Sequence, residues 1–315
     1  MSRFRDPPIL FRFNHHISLI ILAGERWGES RGRRMTRQRM HVLAMTLGCL
    51  TCLTTSSQAQ RLARVLPDAP LTPTIRADPR APAAGAKLVG VLGAASEFGT
   101  GLEGEAQLGH SLPVWIISGE SPDRAVVLGI QGGVFGRFAM TSEERELITS
   151  DWMFALPLYV WRGDTWFRFR YRHFSSHLGD EYVEKTAAER LDYTRDAFGV
   201  LVFKGVVRGV GVYAGGDVAF NVDPSDAKRF AVQGGIELTG ETATGRSPFF
   251  AAVDVYLDQD SSWKPRINIQ TGVLVPANNR RRVRFQAELL FGPSPQGEFH
   301  RLEETLLTLG VGFDL

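Results

Sequence analysis

From Lys87 to Leu315 apolar and polar side chains alternate with a period of two. At the C-terminus Thr305, Leu307, Leu309, Val311, Phe313 and Leu315 fall on one face, and Leu306, Thr308, Gly310, Gly312 and Asp314 on the other. The stretch 281–292 sets Val283, Phe285, Ala287, Leu289 and Phe291 against Arg282, Arg284, Gln286 and Glu288. Period-two alternation of this length predicts strands with one apolar and one polar face. Twelve strands are expected, at 87–98, 102–118, 124–138, 151–161, 165–176, 190–203, 206–221, 229–239, 248–258, 263–275, 281–292 and 304–315. Only Arg208 breaks the apolar face of 206–221.

Most of these strands reach the length that a tilted membrane-crossing strand needs, about ten residues. Tight turns are expected at Ser121-Pro-Asp123, Arg162-Gly-Asp164 and Lys204-Gly205, and longer loops at 139–150, 177–189 and 293–303. Short turns on one side, long loops on the other and an even strand count predict an all-β fold, a transmembrane antiparallel β-barrel of about 12 strands. Trp115, Trp161 and Trp166 lie near the tight turns, and Trp152 and Trp263 near the long loops, as expected of aromatics at two membrane interfaces. The competing fold is a secreted sandwich or lipocalin-like barrel, which would turn the same apolar face inward.

Composition changes this picture in one respect. The chain of 315 residues has a net charge of +2. The basic run 31–39, the apolar run 41–53 and the small-residue site Ser57-Gln58-Ala59 read as a signal peptide over 35–59. Residues 1–34 read as an upstream mis-called start or a long basic region. Residues 1–59 hold nine of the 36 basic and three of the 34 acidic side chains, so the remainder carries −4. Cys49 and Cys52 also fall in this segment, which removes disulfides and thiol chemistry from the exported part. Residues 60–86, rich in Pro and Ala, read as a periplasmic arm or plug-like leader before a barrel over 87–315. Bacterial outer-membrane localisation follows, with outer-membrane lipids and the barrel-assembly machinery as partners and no nucleic acid.

Inside such a barrel Arg168, Arg170 and Arg172 share one face, with Asp254, Asp258, Arg266, Arg284 and Glu288 inward on other strands. They read either as a paired structural network or as an anion-selective lining. On the opposite, lipid-facing side of 165–176 stand Phe167, Phe169, Tyr171, His173 and Ser175. A His and a Ser two residues apart on an outer wall, at the strand end leading to a long loop, can serve as general base and hydroxyl nucleophile. The same residues, with Ser176, His177, Asp180 and Glu181, can instead form a hydrogen-bonded cap that orders the loop. A calcium or head-group role for Asp180 and Glu181 is a third reading. No other cofactor is expected, and no metal-ligand spacing is seen.

His173-Phe-Ser175 resembles the His-x-Ser motif of outer-membrane phospholipase A and lipid A deacylases. That resemblance implies His173 as base, Ser175 as nucleophile, and a downstream residue that orients the histidine. Ala187 stands at the family's usual spacing, so Glu184, Glu189 or Asp192 would substitute, with Glu184 and Asp192 preferred. Ser175-Ser-His-Leu-Gly-Asp-Glu-Tyr182, Phe250-Ala-Ala-Val-Asp-Val-Tyr256 and Gly292-Pro-Ser-Pro-Gln-Gly-Glu-Phe299 resemble an uncharacterised bacterial outer-membrane family, a domain of unknown function. The expected function is a lipid acyl hydrolase of the outer leaflet, of the serine esterase type. The alternative is a non-enzymatic barrel, either a narrow pore or an envelope-structural protein.

Overall fold

The computed structural model describes residues 63–66, 71–93, 101–118, 124–240, 248–277 and 282–314. The signal-peptide segment, the upstream residues 1–34 and the turn at 121–123 lie outside the described residues. A short strand, β1 (Ala63–Val65), precedes twelve long ones. These are β2 (Ala84–Gly93), β3 (Leu102–Ser118), β4 (Arg124–Ala139), β5 (Leu147–Arg162), β6 (Thr165–Leu178), β7 (Thr194–Val207), β8 (Val210–Asp223), β9 (Phe230–Gly240), β10 (Phe249–Asp258), β11 (Pro265–Pro276), β12 (Arg282–Pro293) and β13 (Glu303–Asp314). Each pairs antiparallel with its sequence neighbour, and β13 pairs with β2 to close the ring. Closure satisfies every edge, the condition for a sheet to stand in lipid.

The alternation points its apolar half outward. Leu108, Phe154, Phe169, Phe198, Val200, Leu309 and Phe313 are exposed on the outer wall, whereas Gln131, Arg137, Asp151, Asp254 and Glu304 are buried within. A soluble sandwich would show the reverse. Among the described residues no helix is long and apolar enough to cross a membrane; the crossing elements are the strands.

Two local expectations are corrected. Lys204-Gly205 is part of β7, paired with Thr165 and Gly211, and the turn falls at Arg208-Gly209. Gly209 has φ +78°, which the two-residue connection requires and glycine adopts without strain. Arg208 therefore interrupts the apolar register because it sits in the turn. Trp161 and Trp166 also leave the expected interfacial role. Trp166 is buried inside, stacked on Phe203 at 5.1 Å, and Trp161 donates its indole N–H to the Leu71 carbonyl. Trp115, Trp152 and Trp263 are exposed.

Residues 71–83 run through the barrel interior. Tyr159 on β5 donates to the Pro73 carbonyl (2.9 Å), and Asn268 on β11 donates to that of Ala77 (2.8 Å). Arg76 lies over the Phe250 ring and pairs with Glu237 on β9. Arg80 lies over Phe135 and pairs with Asp151 on β5 at 2.7 Å. Partners on opposite walls place this segment across the lumen, where Ile75 and Ala77 are buried. The same chain covers the stretch of β3 that β2 does not reach. β1 pairs with Trp115–Ile117, Leu66 N–H donates to Val114, and Thr72 donates to Ser111.

The inner charges are paired across strands. Arg170 and Arg172 share Asp217 on β8, at 3.5 and 3.3 Å, and Arg137 bridges Glu103 and Glu304. Replacing 71–83 by a Gly/Ser linker of equal length is expected to open the lumen. Planar-bilayer recordings should show discrete conductance steps for that variant and none for the wild type. Steps of equal size in both would contradict a filled lumen.

Candidate functional site in the outer wall

β6 carries the two faces that the alternation demands. Trp166, Arg168, Arg170, Phe174 and Ser176 are buried inside, and Phe167 and Phe169 are exposed outside. Tyr171, His173, Ser175 and His177 continue the outer face. At about 3.3 Å per residue and a tilt of ~40°, Ser175 stands roughly 25 Å above the tight-turn end of the strand. The apolar band of such barrels is about 25 Å tall. His173 and Ser175 therefore stand about one band height from the tight-turn end, at the long-loop end of the strand.

An open depression of about 550 Å³ surrounds the pair, lined by Trp152, Met153, Phe154, His173, Ser175 and His177. Cross-strand register produces it, since Trp152 faces Ser175 and Phe154 faces His173. On the other flank His173 pairs with Asp196 of β7, and its Nδ1 lies 2.8 Å from Asp196 Oδ1. Tyr171 donates its hydroxyl to the same oxygen at 2.9 Å. Asn221 of β8 donates from Nδ2 to Asp196 Oδ2 at 2.9 Å. A carboxylate against Nδ1 selects the tautomer that protonates Nδ1 and leaves Nε2 as the basic nitrogen.

The acid beside His173 is thus Asp196, not Glu184 or Asp192. Glu184 is exposed on the short helix α1 (Asp180–Thr186), and Asp192 is exposed in the loop before β7. Glu189 is exposed too. Distance along the chain points to the loop acids, but an antiparallel strand returns its partner by register. One signal pointed to Asp196. It occupies the outward register of β7 with Phe198, Val200 and Val202, and is as anomalous on a lipid face as His173.

Ser176 faces the other way. It is buried, donates to Asp151 Oδ1 at 2.5 Å and accepts the Glu298 backbone N–H at 3.0 Å. Gly297 N–H donates to Asp151 at 3.3 Å. Glu298 lies on η1 (Gly297–Phe299), and its carboxylate accepts the Leu191 and Tyr193 N–H groups. Burial raises the Glu298 carboxyl above the ordinary glutamate range and the Tyr193 phenol to about 12. Phe299 meets Tyr182 edge-on at 5.8 Å. The segments 175–182 and 292–299 thus pack on each other and join the long loops over the outer mouth. His177 is exposed at the rim of the depression. Asp180 pairs with Arg190 at 2.5 Å, and Glu181 is exposed. Among the described residues no three His, Cys, Asp or Glu side chains are grouped to hold a metal ion.

Gly179 is explained by this packing. A Cβ there would lie 1.8 Å from the Leu147 carbonyl oxygen. Gly179→Ala should therefore displace the 179–193 loop and lower stability by about 1–3 kcal/mol. Its expected sign is faster cleavage of that loop in limited proteolysis; wild-type cleavage rates would refute the close-approach explanation.

The profile of one family, described as "Protein of unknown function (DUF1207)", matches residues 48–314. The chain belongs to the DUF1207 family. No curated protein matches it. Among solved structures, this DUF1207 barrel is similar to outer membrane phospholipase A from Escherichia coli, at 11% identity and a TM-score of 0.50, covering 74% of this chain and 92% of that one. The Salmonella typhi outer membrane phospholipase dimer with bound calcium matches at 12% identity and 0.48, covering 74% and 90%. The KdgM porin matches at 7% identity and 0.41, covering 73% and 98%. At such identities the likeness is one of fold. With its apolar outer wall and closed ring of twelve strands, this DUF1207 chain is a bacterial outer-membrane β-barrel.

Proposed function

We propose that the chain is a serine hydrolase that cleaves acyl esters of outer-leaflet lipids. The observation that carries this reading is the Asp196–His173 pair beside Ser175, in a depression open to the lipid side of the wall. Ser175 Oγ attacks the ester carbonyl while His173 Nε2 takes its proton. The resulting imidazolium is stabilised by Asp196 and returns the proton to the leaving alkoxide. Water then enters, again deprotonated by His173, and releases the fatty acid from Ser175. Trp152 and Phe154 flank the path by which an acyl chain reaches the serine from the bilayer. The fold likeness to a phospholipase agrees with this chemistry but does not carry it.

One observation favours the alternative of an envelope-structural barrel. Among the described residues no hydrogen bond joins Ser175 Oγ to His173. Such bonds are often long without substrate and tighten in the complex. The pore version of that alternative has residues 71–83 in its path.

The test uses full-chain protein refolded in detergent and heat-modifiable in SDS gels. It is incubated with phospholipid or lipid A vesicles, with and without calcium, and with a fluorophosphonate. Fatty-acid release and labelling in the wild type, both absent in Ser175→Ala, are expected. No release and no labelling under any condition would end the hydrolase reading.

A further inference from the structure

Asp196 is held by more than the histidine. Its Oδ1 receives Tyr171 and His173 from β6, and its Oδ2 receives Asn221 from β8. The donors therefore come from both strands that flank β7. A carboxylate offers about four acceptor sites, and on a lipid-facing wall an unfilled one is costly. With His173 as its only partner, the carboxylate could turn about its last bond and the imidazole could adopt the other tautomer. Donors on two sides fix its plane. Tyr171 is itself clamped, since its ring lies 5.9 Å from Phe198 and 6.2 Å from Phe220, which stack on each other at 5.0 Å.

We infer that Tyr171 and Asn221 are positioning residues that hold Asp196 against Nδ1 of His173 and so determine which ring nitrogen carries the proton. The catalytic consequence rests on the hydrolase reading; the tautomer consequence does not. Neither residue meets the substrate. They act through Asp196.

The experiment follows both consequences in the full chain, refolded in detergent micelles and labelled with ¹⁵N-histidine. The His173 signals are assigned with His173→Gln and read at a pH where the imidazole is neutral. The wild type should show the Nδ1–H tautomer. Asn221→Ala and Tyr171→Phe, with folding checked by heat-modifiable migration, should show mixed tautomers. Each should lower the turnover number about tenfold at unchanged KM, the size of losing one hydrogen bond to a charged group. Asn221→Gln keeps an amide donor and should restore the single tautomer and part of the rate. A wild-type tautomer pattern in both Asn221→Ala and Tyr171→Phe would overturn the inference. If wild-type protein shows the Nδ1–H tautomer, and the variants lose it, while none hydrolyses lipid, the hydrolase reading fails and the positioning role stands. An active enzyme whose rate and tautomer ignore both substitutions has the opposite meaning.

Discussion

Ser175→Ala is expected to give a folded, heat-modifiable barrel that takes up no fluorophosphonate and releases no fatty acid. Asp196→Asn should fold as well and retain a trace of activity, lower by about 10⁴-fold, the loss expected when a triad carboxylate becomes an amide. The reason lies in the imidazole. Asp196 accepts from Nδ1, so Nε2 is free to take the serine proton. An amide can present its N–H₂ to Nδ1 instead, which moves the ring proton to Nε2 and removes the base. Glu184→Gln and Asp192→Asn, both exposed in the loop between β6 and β7, should leave the rate unchanged. If Asp192→Asn costs as much as Asp196→Asn, the assignment of the acid is wrong.

Removing the Arg137 guanidinium should be the most damaging single change to the barrel itself. Arg137 bridges Glu103 and Glu304, with all three side chains at 2% exposure or less. Glu304 also accepts from Ser294 at 2.9 Å, which ties the pair to the loop over the outer mouth. Arg137→Ala leaves two carboxylates in a site closed to solvent, and stripping one partner from a buried ion pair costs about 3–5 kcal/mol. The heat-modifiability transition, or the urea midpoint of refolded protein, should fall accordingly. Arg137→Met combined with Glu103→Gln and Glu304→Gln removes charge without stranding any, and should recover most of the loss. A midpoint for Arg137→Ala equal to that of the wild type would show that the bridge contributes nothing.

The strands were legible because lipid outside and charge inside impose opposite demands on successive side chains. Each of the twelve expected strands overlaps an observed one, from 87–98 against Ala84–Gly93 to 304–315 against Glu303–Asp314. The turn lies at Arg208-Gly209, a few residues beyond the expected Lys204-Gly205, because Gly205 is as permissive a residue as Gly209 and only pairing separates them. Trp166 departs from the interfacial expectation because a tryptophan near a turn suits either an interface or an interior, and its parity with Arg168 puts it inside.

The candidate site divides along the same line. His173 and Ser175 could be read from β6 alone, since both lie on one strand and break its apolar face. Asp196 and Asn221 could not be joined to them by chain distance. Asp196 lies 23 residues beyond His173, past a helix and a loop of its own, and antiparallel register sets it alongside. The same holds for 292–299, whose Gly297 and Glu298 reach Asp151 and Ser176 across the mouth.

By itself the sequence determined that twelve long strands alternate apolar and polar faces, and that a polar pair interrupts one apolar face, because period-two patterning is a local property of consecutive residues. The tertiary structure decided that the apolar face turns outward, which acid lies against the histidine, which donors hold that acid, where the long loops close, and that residues 71–83 fill the lumen. Each of these depends on closing the ring and on strand register, which bring together residues that no spacing along the chain relates.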